Sequence, residues 1–214
     1  MNIPFVLLTG QAKDQIPKFV ADNKIGGVIC DFTPLRVPLG WVAELKEKLP
    51  QDIPFAQIDG HNIVPCWFAS DKQEYAARTI RNKINSKLDD FLTEFPPLIK
   101  HPHDPPKAIV ALACPDWDAC YKSLKCDMDV KVVDWAKPGY KAGIKVLEDF
   151  IKSRVKIYDT ERNDPNKNAL SNLSPWTHFG QISAQRCAIE VKKHCFKANP
   201  KAVAGFLEGI FSFC

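Results

Sequence analysis

Arg162-Asn-Asp-Pro-Asn-Lys-Asn-Ala-Leu-Ser-Asn-Leu-Ser-Pro-Trp-Thr-His-Phe-Gly-Gln181 is the stretch around which the chain is organised. It is dense in small polar groups and in helix-start signals. Asn163, Asp164, Pro165 and Asn166 form a turn cluster. Ser174 followed by Pro175 reads as an N-cap with proline at the first helical position. A helix starting there directs free backbone N–H groups outward. With the hydroxyls of Ser171 and Ser174 these make a set of donors suited to an anion such as phosphate. The same Ser-Pro pair is also what an ordinary capped helix requires, and both readings stand at this level.

The segments before the stretch alternate strand and helix. Ile3 to Thr9 is a short apolar run closed by Gly10, and predicts a buried strand. Gln11 to Asn23 predicts a helix that Pro17 interrupts unless it lies in the first turn. Gly27-Val-Ile-Cys-Asp-Phe32 predicts a second buried strand and Ile53 to Ile58 a third strand. Between them Trp41, Val42, Leu45 and Leu49 recur at helical spacing. Strand, helix, strand, helix, strand implies a parallel sheet with covering helices. Asp31 and Arg36 flank a turn at Pro34, as a ligand contact, an ion pair or simply turn residues. His61 and Asn62 follow the last strand and pose the same choice.

Ser70-Asp-Lys-Gln73 fits a capping box. The helix expected after it carries Ala76, Ala77, Ile80, Ile84, Leu88, Phe91, Leu92 and Phe95 on one face and stops at Pro96-Pro97, with Arg78, Arg81 and Lys83 on its wet face. His101 and His103 lie in a proline-rich loop without further metal-type residues, so no metal site is expected. Asp116 is placed to cap a helix bearing Trp117, Cys120 and Leu124. From about residue 138 the pattern turns helical: Ile144, Leu147, Phe150, Ile151, Val155 and Tyr158 predict an amphipathic helix. Ser183 caps Ala184 to Cys195, and Pro200 opens a last helix through Phe206, Leu207 and Ile210. The expected organisation is α/β over residues 1–69, a helical and looped connector over 70–137, and all-α over 138–214.

The chain has 214 residues, enough for one large or two small domains with a real core. The eight cysteines are scattered without a C-x-x-C, and read as reduced or buried thiols in an intracellular protein. No apolar run is long enough to cross a bilayer, and the apolar start lacks the basic region of a signal peptide. Residues 1–136 carry 16 Lys/Arg against 18 Asp/Glu, whereas residues 137–201 carry 13 against 6. The basic excess therefore lies in the later part, as a polyanion surface or as solvated helix faces.

Tyr158 and Arg162 lie four apart and share a face if their helix continues. A phenol and a guanidinium there can meet phosphate oxygens, or be a core tyrosine beside a surface arginine. The wording of several segments narrows these choices. Arg162-Asn-Asp-Pro-Asn and Leu170-Ser-Asn-Leu-Ser-Pro-Trp-Thr-His-Phe-Gly-Gln-Ile-Ser-Ala-Gln-Arg186 closely resemble class II cyclobutane pyrimidine dimer photolyases of the cryptochrome/photolyase family. Asp31-Phe-Thr-Pro-Leu-Arg36, His61-Asn-Ile-Val-Pro65, Lys72-Gln-Glu-Tyr-Ala-Ala-Arg-Thr-Ile-Arg81 and Phe91-Leu-Thr-Glu-Phe-Pro96 follow the family's order, so the resemblance covers nearly the whole chain.

The resemblance implies an incomplete Rossmann-like antenna domain, followed by the first part of a helical FAD-binding domain. It implies light-driven splitting of pyrimidine dimers in UV-damaged DNA by electron transfer from reduced FAD, with no acid–base dyad required. It places FAD at Tyr158, Leu170, Ser171, Asn172, Leu173 and Ser174, DNA at Arg162, and the neighbourhood of the lesion at Glu208. No individual catalytic residue and no antenna pigment are assigned. The family's glutamate-rich helix starts at Phe206-Leu-Glu208 and departs from the pattern at Gly209. The sequence therefore reads as truncated at both ends, with weak flavin binding and little repair expected of the chain itself. The alternatives are a non-catalytic flavin- or DNA-binding remnant and a cryptochrome-like photoreceptor. A monomer working away from membranes is expected, intracellular, and nuclear if the source is eukaryotic.

Overall fold

The computed structural model describes residues 3–113 and 115–212. In chain order the elements are α1 (Ala12–Asn23), β1 (Val28–Asp31), α2 (Arg36–Lys48), β2 (Phe55–Ile58), α3 (Cys66–Ala69), α4 (Ala77–Asn85), α5 (Leu88–Phe91), α6 (Lys107–Leu112), α7 (Trp117–Lys122), α8 (Tyr140–Asp149), a π-helical turn (Phe150–Arg154), α9 (Val155–Glu161), α10 (Ser174–His178), α11 (Ala184–Cys195) and α12 (Pro200–Ser212). They form two compact units, one of residues 1–58 and 96–131, the other of 59–95 and 132–214.

The first unit contains a two-stranded parallel sheet. Val28 pairs with Phe55 and Asp31 with Ile58, a register that sends Val28 and Phe55 to one face. That face meets Val20 of α1, Leu45 of α2 and Leu49 in an apolar cluster with Ile16, Ile25 and Ile53. Ile29 and Ile58, on the other face, are exposed. Ile3 to Thr9, expected as a strand, is irregular and partnerless as a strand among the described residues. An apolar run becomes a strand only when a ladder satisfies its backbone. Pro17 lies inside α1, past its first turn, without ending the helix. Asp31 and Arg36 frame the turn into α2 but form no ion pair among the described residues. His101 and His103 hydrogen-bond one another's segment locally, with the His101 Nδ1 atom 2.8 Å from the His103 carbonyl oxygen. No metal-type cluster occurs among the described residues. Asp116 caps α7 as expected, accepting from the Ala119 N–H at 2.9 Å.

In the second unit α8, the π turn and α9 run as one continuous helical rod. Phe150 and Val155 are both buried although they are five residues apart. The π turn, with the Val155 N–H donating to the Phe150 carbonyl, puts residues at that spacing on one face. Around them pack Leu147, Leu173, Trp176, Ile182, Cys187, Val191, Val203 and Phe206. Ser183 caps α11 through the Arg186 N–H at 3.1 Å. A second cluster of Val64, Ala69 and Ile84 receives Phe211 from α12.

Ser70 does not N-cap a helix; it ends α3 as its C-cap. Its hydroxyl joins Lys83 in binding the Glu74 carboxylate, and the long helix expected after it is broken into α4 and α5. None of the described cysteines is in a disulfide. No helix among the described residues is long and apolar enough to cross a membrane.

Candidate cofactor and DNA site

The segment 169–173, which leads into α10 at Ser174, is a loop pinned at two points. Ala169 is fully buried and Leu173 is 3% exposed within the large apolar cluster. Between these anchors Asn172 takes a left-handed backbone, φ +59°, which asparagine tolerates better than most residues. The turn throws Leu170, Asn172 and Ser174 outward. Among the described residues, the hydroxyls of Ser171 and Ser174, the Asn172 carboxamide and the backbone N–H groups of Ser171 and Asn172 have no acceptor in the chain. This is a concentrated set of uncommitted donors on a fixed base.

Ser174 does not cap α10. Leu173 is already in helical geometry, φ −83° and ψ −14°, and its carbonyl accepts from the N–H groups of Trp176 and Thr177. Burying Leu173 therefore draws the helix start one residue earlier, with Ser174 and Pro175 in the first turn. Ser171 and Asn172 precede α10 and Ser174 is its first residue, so the donor set spans the loop and the start of this five-residue helix.

Tyr158, on α9, packs against the same cluster. Its ring meets Phe150 edge-on at 5.6 Å and Phe206 at 5.8 Å. Arg162 continues the face, its guanidinium carbon 5.4 Å from the Tyr158 ring centroid. Nη1 of Arg162 donates to the Gly205 carbonyl of α12 at 3.0 Å. The arginine is thus half-buried and tied to a second helix, which the helix-face reading did not anticipate.

Glu208 lies one turn beyond Gly205 on α12 and pairs with Arg81 of α4 at 2.5 Å. Arg81, read from sequence as part of a wet face, has its Nε buried without a partner among the described residues. No periodicity argument signals that pair, because each partner looks solvated on its own helix.

Asp59 organises the entry to this unit. It is 7% exposed and accepts from the N–H groups of His61, Asn62 and Cys66 and from the Asn62 side chain, at 2.9–3.2 Å. Burial opposes its ionisation, but these bonds win and hold the carboxyl below its usual range. His61 and Asn62 are therefore parts of a loop built on Asp59, and the His61 side chain is exposed.

A deoxyribodipyrimidine photo-lyase of Potorous tridactylus is 51% identical over 206 residues, spanning 96% of this chain and 38% of that protein. The family model described as DNA photolyase matches residues 1–103. The chain belongs to the DNA photolyase family. A deoxyribodipyrimidine photo-lyase of Arabidopsis thaliana is 42% identical over 218 residues, covering 97% of this photolyase-family chain and 43% of the plant protein. The chain thus spans about two-fifths of the length of these relatives. Among solved structures, a Synechocystis cryptochrome superposes with a TM-score of 0.67 at 17% identity, over 96% of this chain and 44% of that one. A class III photolyase from Agrobacterium tumefaciens gives 0.58 at 19% identity, over 97% and 45%. At such identities the likeness concerns the fold: a small parallel sheet with helices, followed by a helical region, as the sequence pattern implied. The photolyase family generally binds FAD and an antenna chromophore. The donors of residues 171–174 fit the phosphates of such a dinucleotide in kind. They are neutral N–H, O–H and amide groups able to surround anionic oxygens.

Proposed function

We propose that the protein bearing this chain repairs UV-damaged DNA in light, splitting cyclobutane pyrimidine dimers as class II photolyases do. One observation carries the reading: uncommitted donors at Ser171, Asn172 and Ser174 stand on the same apolar core that fixes Tyr158. Residues 138–214 then begin the FAD-binding domain. Bound, reduced FAD supplies the light-excited electron that opens the cyclobutane ring. The chain's own residues bind and orient. Ser171, Asn172 and Ser174 hold phosphate oxygens through side chains and backbone, with Leu170 covering them. Leu173 contributes by anchoring the loop, since its side chain is committed to the core. Tyr158 offers a phenol whose ring is immobilised by Phe150 and Phe206. Arg162 meets the DNA backbone near the flipped-out lesion, and Glu208 stands toward the lesion on α12.

The test is retention of FAD by the purified chain, read by visible absorbance after desalting and by titration. Ser171→Ala and Ser174→Ala each weaken the complex about fivefold, the equivalent of ~1 kcal/mol per hydrogen bond. Wild-type affinity in the double variant would remove this loop from the cofactor site.

A further inference from the structure

α9 and α12 meet in a register that places two side chains over two glycines. Tyr158 lies on α9 with Arg162 four residues on as its C-cap, and Gly205 and Gly209 are four apart on α12. A methyl group at Gly205 would lie 3.1 Å from Nη1 of Arg162, and one at Gly209 would lie 3.6 Å from the Tyr158 hydroxyl. The pairing is therefore antiparallel, Arg162 on Gly205 and Tyr158 on Gly209. Both glycines lie inside a helix, where glycine is unfavourable relative to alanine. Neither has a positive φ that would call for glycine. The 3.6 Å separation at Gly209 is ordinary contact, so alanine fits there. At Gly205 a methyl group must push the guanidinium away.

We propose that Gly205 is a positioning residue: it seats the Arg162 guanidinium so that Nη1 is spent on α12 and the remaining donors are aimed at DNA. Nε and Nη2 of Arg162 carry no hydrogen bond among the described residues. A guanidinium is a planar fork, so fixing one nitrogen on the Gly205 carbonyl and laying the plane against Tyr158 fixes where the other two point. The seat also ties that direction to the helix carrying Glu208. The DNA half of this inference rests on the reading of Arg162 given above.

The experiment uses the full chain with Gly205→Ala and Gly209→Ala. Three quantities are measured: the thermal midpoint, the Arg162 Nε–H cross-peak (assigned with Arg162→Lys), and affinity for a single-stranded oligonucleotide carrying one thymine dimer. Gly205→Ala keeps or raises the midpoint, shifts the Arg162 cross-peak and weakens the oligonucleotide five- to tenfold. Gly209→Ala leaves cross-peak and affinity within twofold. An unmoved cross-peak in Gly205→Ala, or an equal shift in both variants, overturns the proposal. So does a shifted cross-peak with unchanged affinity. If the wild-type chain does not bind the oligonucleotide, the DNA reading of Arg162 fails for this chain. The cross-peak then decides the seat alone: a shift confined to Gly205→Ala upholds it and any other pattern overturns it. Should Gly205→Ala lower the midpoint by more than a few degrees, Arg162→Lys decides, because it keeps the charge without the fork. An affinity loss of fivefold or more supports the seat, and unchanged affinity overturns it.

Discussion

Asp59 is the residue whose removal should cost this structure most for a single polar group. Its carboxylate accepts four hydrogen bonds, three of them from backbone N–H groups that have no other acceptor nearby. With 7% exposure, water replaces little of what is lost. A hydrogen bond to a charged acceptor contributes about 1.5–3 kcal/mol, but bonds sharing one carboxylate are not additive. Asp59→Ala should therefore destabilise its unit by roughly 3 kcal/mol. Asp59→Asn retains one acceptor oxygen and should cost about half as much. The carboxyl is held below its usual range, so its stabilisation is fully present above the unfolded value. It is lost as pH falls through the lower, folded one. Urea unfolding followed by tryptophan fluorescence measures both variants. Repeating it from neutral pH into the acid range should show a steeper loss for wild type than for Asp59→Asn. Equal costs for Asn and Ala, or a cost below about 1 kcal/mol for Ala, would refute the argument that the loop depends on this acceptor.

Three further outcomes follow from local geometry. Glu74 is held at about 2, chiefly by the Lys83 ammonium with Thr79 and Ser70 assisting; the Lys83 latch is complete above the unfolded carboxyl value and is lost as pH falls toward the folded one, and a carboxyl NMR titration with its midpoint near an ordinary glutamate would contradict it. Ser183→Ala removes the α11 cap and should cost ~1 kcal/mol by chemical unfolding, with Ser183→Asp recovering most of it. Gly143→Ala places a methyl 3.1 Å from the buried Trp176 ring, so crowding outweighs the gain in helix propensity and the variant should lose about 1 kcal/mol; a more stable protein would show that Trp176 can shift.

What could be read from sequence divides along physical lines. Features decided within one turn of chain were legible. Asp116 and Ser183 cap their helices because the acceptor and the N–H groups they serve are three residues apart. Strands β1 and β2 formed in the short runs Val28–Asp31 and Phe55–Ile58, each bounded by Gly or Pro breakers. Features decided by a distant partner were not. Ile3 to Thr9 has a strand's composition but no ladder among the described residues. Ser70 has the spacing of a cap, yet Glu74 and Lys83 compete for its hydroxyl and hold it. Ser174 lost its capping role because burial of Leu173 moved the start of the helix. The pairing of Arg81 with Glu208 joins positions 127 apart, beyond any local rule. The candidate loop itself was legible through wording, whereas its two anchors, Ala169 and Leu173, appear only in the packing.

The π turn explains why these parts share one base. Without the extra residue it absorbs, the face that buries Phe150 would not also bury Val155, and Tyr158 and Arg162 would be rotated away from α12. With it, one rod supplies Leu147 and Phe150 to the core, Tyr158 to the rings of Phe150 and Phe206, and Arg162 to Gly205. The same core holds Leu173, which pins the donor loop. A π turn costs some hydrogen-bond geometry and persists only where tertiary contacts compensate. Here the compensation is burial of Phe150 and Val155, and the outcome is that loop, phenol and guanidinium share one rigid base. Changes at Phe150 or Val155 should therefore disturb cofactor and DNA affinity together, although neither side chain reaches the surface where those ligands would bind.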